Sequence, residues 1–164
     1  CATTDGQGVV HVATHFGIEV SKGALLGING GGGAARSIAS AWLEHGGKVV
    51  SLGGKRQLPA TLVNSKRDAD TVFDLIIDTD GSMNSIVDST YTLDPVYLPM
   101  SGSYDERIER LSIKNNSIDG RWMLAAQHLG CWRSLWTPHL RDELPTLEQV
   151  MTWLVAVECE IEQS

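Results

Sequence analysis

The sequence predicts an α/β fold, a doubly wound parallel sheet with helices on both faces, and three observations carry that prediction. Four glycines, Gly30 to Gly33, stand between the apolar stretch 24–29 and the segment Ala34-Ala35-Arg36-Ser37-Ile38-Ala39-Ser40-Ala41-Trp42-Leu43. In that segment Ala34, Ile38, Ala41 and Trp42 recur at i, i+4, i+7 and i+8, the period of an amphipathic helix. Lys48-Val49-Val50-Ser51-Leu52 follows about twenty residues past the first glycine, where a mononucleotide fold places its second strand. Val72-Phe73-Asp74-Leu75-Ile76-Ile77 is nearly continuous in apolar residues, as in strands buried on both sides of a parallel sheet.

Taken in order, Val9, Val10, Val12, Ala13 and Phe16 predict a helix over 6–17, which Asp5 is placed to cap. Strand, helix and strand follow over 24–29, 33–45 and 48–52, then a short helix near 60–65. A strand over 72–77 and a weaker one over 89–94 come next. Ser103 with Asp105 and Glu106 marks a helix start, with Ile108 and Leu111 as its apolar edge. Asn116 to Ile118 reads as a last short strand, and 120–136 as a helix. Pro145 suits the first turn of a final helix, whose Val150, Trp153, Leu154, Val157 and Ile161 form the expected inward face. Glu158, Glu160 and Glu162 are then expected outside. Alternating strands and helices imply right-handed crossovers.

The chemistry of the glycine turn is anion binding. Without Cβ atoms, Gly30, Gly31, Gly32 and Gly33 let the backbone reach a phosphate, and the helix beginning at Ala34 presents free N–H groups and its positive dipole end to it. Bulk properties narrow the partners. The 164 residues suit one domain, and the charge of −7 argues against nucleic acid. No apolar run approaches the roughly 18 residues needed to cross a bilayer, and no basic-then-apolar leader is visible. Cys1, Cys131 and Cys159 are odd in number and lack metal spacing, so reduced thiols and a cytoplasmic location are expected. The chain opens at Cys1 inside a segment that reads as structured, and is expected to be the C-terminal part of a longer protein.

Five motifs in order resemble the shikimate dehydrogenase family. Thr3-Thr4-Asp5-Gly6-Gln7-Gly8 is similar to its Asn-Thr-Asp-Gly-x-Gly signature, and Gly30 to Arg36 to its Gly-Ala-Gly-Gly-Ala-x-Arg cofactor loop. Asp74-Leu75-Ile76-Ile77 resembles the strand before its Asn-Ala-Thr-Ser loop, and Asp94-Pro95-Val96-Tyr97-Leu98-Pro99 resembles Asp-x-x-Tyr-x-Pro. Asp119 to Gln127 is similar to Asp-Gly-x-x-Met-Leu-x-x-Gln, and Trp136-Thr137-Pro138 closes the series. The resemblance implies a Rossmann-like NADP-binding domain, residues 1–164, of a two-domain oxidoreductase whose N-terminal substrate domain lies outside this chain. The implied reaction is reduction of 3-dehydroshikimate to shikimate with NADPH, in aromatic amino-acid biosynthesis. It assigns catalysis to Asp5, working with a lysine of the other domain, and substrate binding to Tyr97 and Gln127. Pro95 and Gly120 match residues lining the nicotinamide.

Departures from the family pattern are equally specific. Gly53-Gly54-Lys55 stands where the family has Asn-Arg-Thr, so Lys55 and Arg56 are left to meet a 2′-phosphate without guanidinium stacking at the arginine's place. No acid in 52–57 favours NAD. Asp78-Thr79-Asp80-Gly81-Ser82 replaces Asn-Ala-Thr-Ser and sets two carboxylates where a diphosphate belongs, and Thr3 and Gly31 also differ. Two alternatives stay open: a non-catalytic Rossmann-like module with weakened cofactor binding, and a quinate/shikimate-type dehydrogenase of other cofactor preference. The tryptophan-bearing C-terminal helices are expected to expose an apolar patch, with self-association as its consequence.

Overall fold

A computed structural model describes residues 4–83, 87–96, 100–111 and 116–162. Five strands form one sheet: β1 (Leu25–Asn29), β2 (Lys48–Gly53), β3 (Phe73–Asp78), β4 (Ser89–Leu93) and β5 (Ser117–Ile118). Their order is β2-β1-β3-β4-β5, and every neighbouring pair is parallel. The helices are α1 (Thr4–His15), α2 (Gly33–Glu44), α3 (Tyr104–Leu111), α4 (Gly120–Cys131) and α5 (Leu147–Glu162). This is the Rossmann-like α/β architecture expected from the alternation of elements. The chain moves from β1 to β2 on one side and then to β3 on the other, so a topological switch point lies at the carboxyl ends of β1 and β3.

Alternation along the strands divides the core. Leu26, Ile28, Val49, Leu75 and Ile77 join the large cluster that also takes in Val9, Val12, Ile38, Trp42 and Met123 from α1, α2 and α4. The intervening Val50 and Ile76, with Phe73, form a second cluster covered by Leu25, Leu52, Met83 and Val87. The connection from β2 to β3 carries only a single 3-10 turn, Ala60–Leu62. It runs beside β2 instead: the Asn64 and Ser65 N–H groups both donate to the Val49 carbonyl at 3.2 Å, and Asn64 Oδ1 accepts the Val49 N–H at 2.8 Å. These bonds satisfy the outer edge of β2 at Val49.

Helix α1 lies against α2 and α4. Its glycines permit the approach: a Cβ on Gly6 would sit 2.3 Å from the Ser37 carbonyl oxygen, and one on Gly8 2.7 Å from Gln127 Cγ. The contacts with α4 pair Asp5 with Gln127 and His15 with Trp122, so the two helices run antiparallel. Near its end, His15 stacks on Trp122 at 4.9 Å and Phe16 meets the same ring edge-on at 5.1 Å.

Two elements differ from expectation. Helix 120–136 ends at Cys131 and continues as a π turn, Trp132–Trp136, closed by the Thr137 N–H on the Trp132 carbonyl at 2.8 Å. Pro138 disfavours helical geometry at Thr137, which takes φ −135° and ψ 52°. The final helix begins at Leu147, after a reciprocal cap in which the Thr146 N–H donates to Gln149 Oε1 and Thr146 Oγ1 accepts the Gln149 N–H.

The inward face of α5 is corrected in part: Val150 and Leu154 pack against the core as expected. Leu147, Met151 and Val155 are buried, whereas Trp153, Val157 and Ile161 are 55%, 50% and 69% exposed. Continuing the buried row by three and seven residues reaches Glu158 and Glu162, which ion-pair with the buried Arg121 of α4 and Arg107 of α3. The inward face of this helix thus joins buried apolar residues with two carboxylates that meet buried arginines. Cys131 and Cys159 are free thiols. No helix among the described residues is long and apolar enough to cross a membrane.

Candidate functional site

Two places hold the predicted site residues: the carboxyl edge of the sheet and a cleft between α1 and α4. At the edge, β1 ends at Asn29 and the chain turns through Gly30 at φ +110°, with the Gly30 N–H on the Gly53 carbonyl at 2.8 Å. The four glycines serve two purposes. A Cβ on Gly30 would lie 2.3 Å from Thr79 Oγ1, and one on Gly31 2.2 Å from the Gln57 carbonyl oxygen, so these two let neighbouring segments close on the turn. Gly32 and Gly33 would meet nothing within 4 Å. There α2 begins with no side-chain cap, so its first N–H groups, with Ala34 in the first turn, meet no side-chain partner at the cap, and space lies open beside Gly32 and Gly33. The residues present therefore fit a diphosphate at Gly32–Gly33: an uncapped helix end beside a cradle that any Cβ would narrow.

Gly31→Ala is expected to cost about 1–3 kcal/mol of stability, because backbone at Gln57 and Leu58 must move. Gly33→Ala should stay within about 0.5 kcal/mol. Urea unfolding of the two variants checks the contrast.

The acidic loop after β3 is knotted onto β1. Asn29 Nδ2 donates to Asp78 Oδ1 at 2.8 Å, Asp80 Oδ1 at 3.1 Å and Ser82 Oγ at 3.1 Å. Asp78 also accepts the N–H groups of Gly81 at 3.0 Å and Met83 at 2.9 Å. Burial pushes Asp78 up, but the Asn29 amide and the Met83, Asp80 and Gly81 N–H groups outweigh it and hold the carboxyl below its ordinary value. The Ser82 hydroxyl is the largest influence on Asp80, which is also held low. Depressed values mean stability that is present above the ordinary carboxylate pKa and lost as pH falls through the lowered one. In melts from about pH 5 to pH 2, Asp80→Asn is expected to lose less stability than the wild type.

Asp80 also reaches across β1 to the end of β2. Its Oδ2 accepts the Lys55 N–H at 2.6 Å, its carbonyl oxygen accepts Lys55 Nζ at 3.0 Å, and a Cβ on Gly54 would lie 2.7 Å from Oδ2. Gly53 ends β2, and Lys55 and Arg56 beyond it are exposed. Pro95 follows β4 and helps line a recess of about 400 Å³ with Asp78, Met83 and Leu93. Gly120 opens α4, capped by Asp119, whose Oδ1 accepts the Arg121 N–H at 2.8 Å. Parallel strands thus gather Gly30 to Ala34, Gly53, Lys55, Arg56, Pro95 and Gly120 along one sheet edge. Tyr97 lies outside the described residues.

The second place joins residues far apart in the chain. Gln127 Nε2 donates to Asp5 Oδ1 at 2.5 Å, across the α1–α4 contact. The next residue, Gly6, donates its N–H to Ser37 Oγ at 2.9 Å, one turn into α2, and so ties Asp5 to the helix that begins at the glycine turn. Gln127 opens on a cleft of about 590 Å³, lined also by Thr4, His11, Glu44, Arg133 and Arg141. Burial, then the charges of Arg133 and His15, lower the His11 pKa. Sequence reasoning missed Asn29 and this polar cleft. An amide ending an apolar strand just before the glycines was the available signal for the first.

No protein-family model matches the chain, and no curated protein matches its sequence. Solved structures do share its fold. A chorismate mutase/shikimate 5-dehydrogenase fusion protein from Clostridium acetobutylicum aligns with 98% of this chain and 63% of its own, at 15% identity and TM-score 0.52. The ligand-free 5-ketofructose reductase of Gluconobacter sp. strain CHM43 aligns with 93% of this chain and 62% of its own, at 18% identity and TM-score 0.53. The chain therefore spans a little over three-fifths of either structure. At these identities the likeness is one of fold. The Rossmann-like architecture implied by the five motifs is the one found.

Proposed function

We propose that this chain is the dinucleotide-binding domain of an oxidoreductase that transfers hydride between a nicotinamide cofactor and a cyclic hydroxy acid, in the manner of a shikimate dehydrogenase. The Gln127–Asp5 hydrogen bond carries this reading. It joins the two residues that the motifs assign to substrate and catalysis, beside a helix whose uncapped end faces open space. The names of the two structures of like fold, a fusion containing a shikimate 5-dehydrogenase and a ketofructose reductase, agree with an oxidoreductase.

The cofactor, when bound, supplies the hydride. The N–H groups at Gly32, Gly33 and Ala34 would hold its diphosphate, and Pro95 and Gly120 would flank the nicotinamide end. Hydride addition to a ketone carbon leaves charge on the oxygen, which must gain a proton. Asp5 would orient and tune a lysine from the substrate domain that gives that proton. Gln127, with its carbonyl free and one amide hydrogen held by Asp5, would fix a neighbouring hydroxyl. NADPH is the cofactor we favour. Lys55 and Arg56 are two exposed cations at the end of β2, and the nearby Asp80 already accepts from Asn29, Ser82 and Lys55.

Quenching of tryptophan fluorescence by NADPH and NADH tests the domain assignment. Saturation with a dissociation constant below about 1 mM is the expected result, and no saturable binding of either nucleotide would overturn it. Lys55→Ala should weaken NADPH binding and leave NADH unchanged. A second reading, a non-catalytic module of the same fold, is favoured by one observation: Asp78 and Asp80 keep two negative charges at the switch point. That reading predicts the absence of saturation.

A further inference from the structure

We propose that the α1–α4 cleft, which Arg133, Arg141 and His11 line, is a binding site for a small oxyanion, a carboxylate or a phosphate. Arg133 stands on the π turn after α4, and its Nε is buried without a hydrogen-bond partner. A guanidinium cannot shed its proton, so this donor has lost its water and gained nothing in return. Among the described residues, no carboxylate pairs with Arg133 or Arg141. The one acid lining the cleft, Glu44, accepts from Ser40 of its own helix at 3.0 Å. Two arginines and two histidines, His11 and His45, thus share a concave surface with a single carboxylate, in a chain whose net charge is −7.

The planar fork of an arginine matches the paired oxygens of a carboxylate or phosphate. A half-buried imidazole next to it adds one donor. Gln127 on the same cleft would meet a hydroxyl of the ligand, and only this placement of a substrate in the cleft rests on the oxidoreductase reading. Binding should be linked to protonation. His11 faces Arg133 and His15, while Glu44, His45, Arg141 and Cys131 also line the cleft. Burial first, and then the charges of Arg133 and His15, hold the His11 pKa below its ordinary value; an anion beside Arg133 offsets the charge contribution, so the pKa should rise on binding and affinity should increase as pH falls below neutral.

The test follows histidine ring resonances by NMR while inorganic phosphate or malonate is added at constant ionic strength, with no nucleotide present. Saturable shifts at His11 with half-saturation near about 1–10 mM are expected, with the ring signals of His128 unmoved. Tighter phosphate binding would identify a phosphorylated ligand, and tighter malonate binding a carboxylate; either supports the site. Arg133→Gln and Arg141→Gln should each weaken binding about tenfold or more. Linear, unsaturated shifts in the wild type, or unchanged affinity in both variants, would overturn the assignment. Because no dinucleotide enters the experiment, its failure leaves the glycine-turn reading untouched.

Discussion

Arg121→Ala is expected to remove about 3–5 kcal/mol of folding stability, the range seen when one partner of a buried ion pair is deleted. Arg121 has no exposed surface. Its Nε donates to both oxygens of Glu158 at 3.0 and 3.2 Å, and its Nη1 to both oxygens of Asp119 at 3.1 Å. Asp119 is also the cap of α4, so one guanidinium fastens the helix start to α5. Truncation leaves two mostly buried carboxylates facing each other without a cation, and a cavity the size of the lost side chain. The double variant Arg121→Met with Glu158→Leu should recover part of the loss, since it removes one of the two carboxylates that Arg121 neutralises and leaves only Asp119 without its cation. Urea unfolding measures both. A loss below about 1 kcal/mol for Arg121→Ala would mean that the Arg121–Glu158 pair does little to hold α5.

That ion pair also marks where sequence reading stops. The β1–α2–β2 unit was legible because its signals are local: an apolar run, a glycine turn and a helical period within thirty residues. The rotation of α5 was not. Hydropathy favours turning Trp153, Val157 and Ile161 inward, and nothing along that helix announces two buried arginines on α3 and α4 waiting for Glu158 and Glu162. The acid pair after β3 read as a repulsive feature because its hydrogen-bond donor, Asn29, becomes its neighbour only through the β1–β3 register that sets Asn29 beside Asp78. Asp5 and Gln127 were found through motif likeness; no periodicity connects positions 122 apart. The Arg133 and Arg141 cluster left no trace in sequence, since single arginines near a chain's end look the same whether solvated or convergent.

In a protein that carries this domain together with its substrate domain, Asp5→Asn is expected to lower turnover by about 10²-fold or more while leaving the fold intact. Asparagine keeps an oxygen where Oδ1 accepts from Gln127, so the α1–α4 contact and the melting temperature should hold. What disappears is the negative charge that would hold a lysine ammonium in place and stabilise it between proton transfers. The effect should therefore fall on turnover and leave dinucleotide quenching unchanged, because the glycine turn lies at the far end of the link through Gly6 and Ser37. Wild-type turnover in Asp5→Asn would take Asp5 out of the mechanism and leave its bond to Gln127 as a helix-packing contact. A parallel loss of nucleotide binding would point to a structural role in seating α1 against α2.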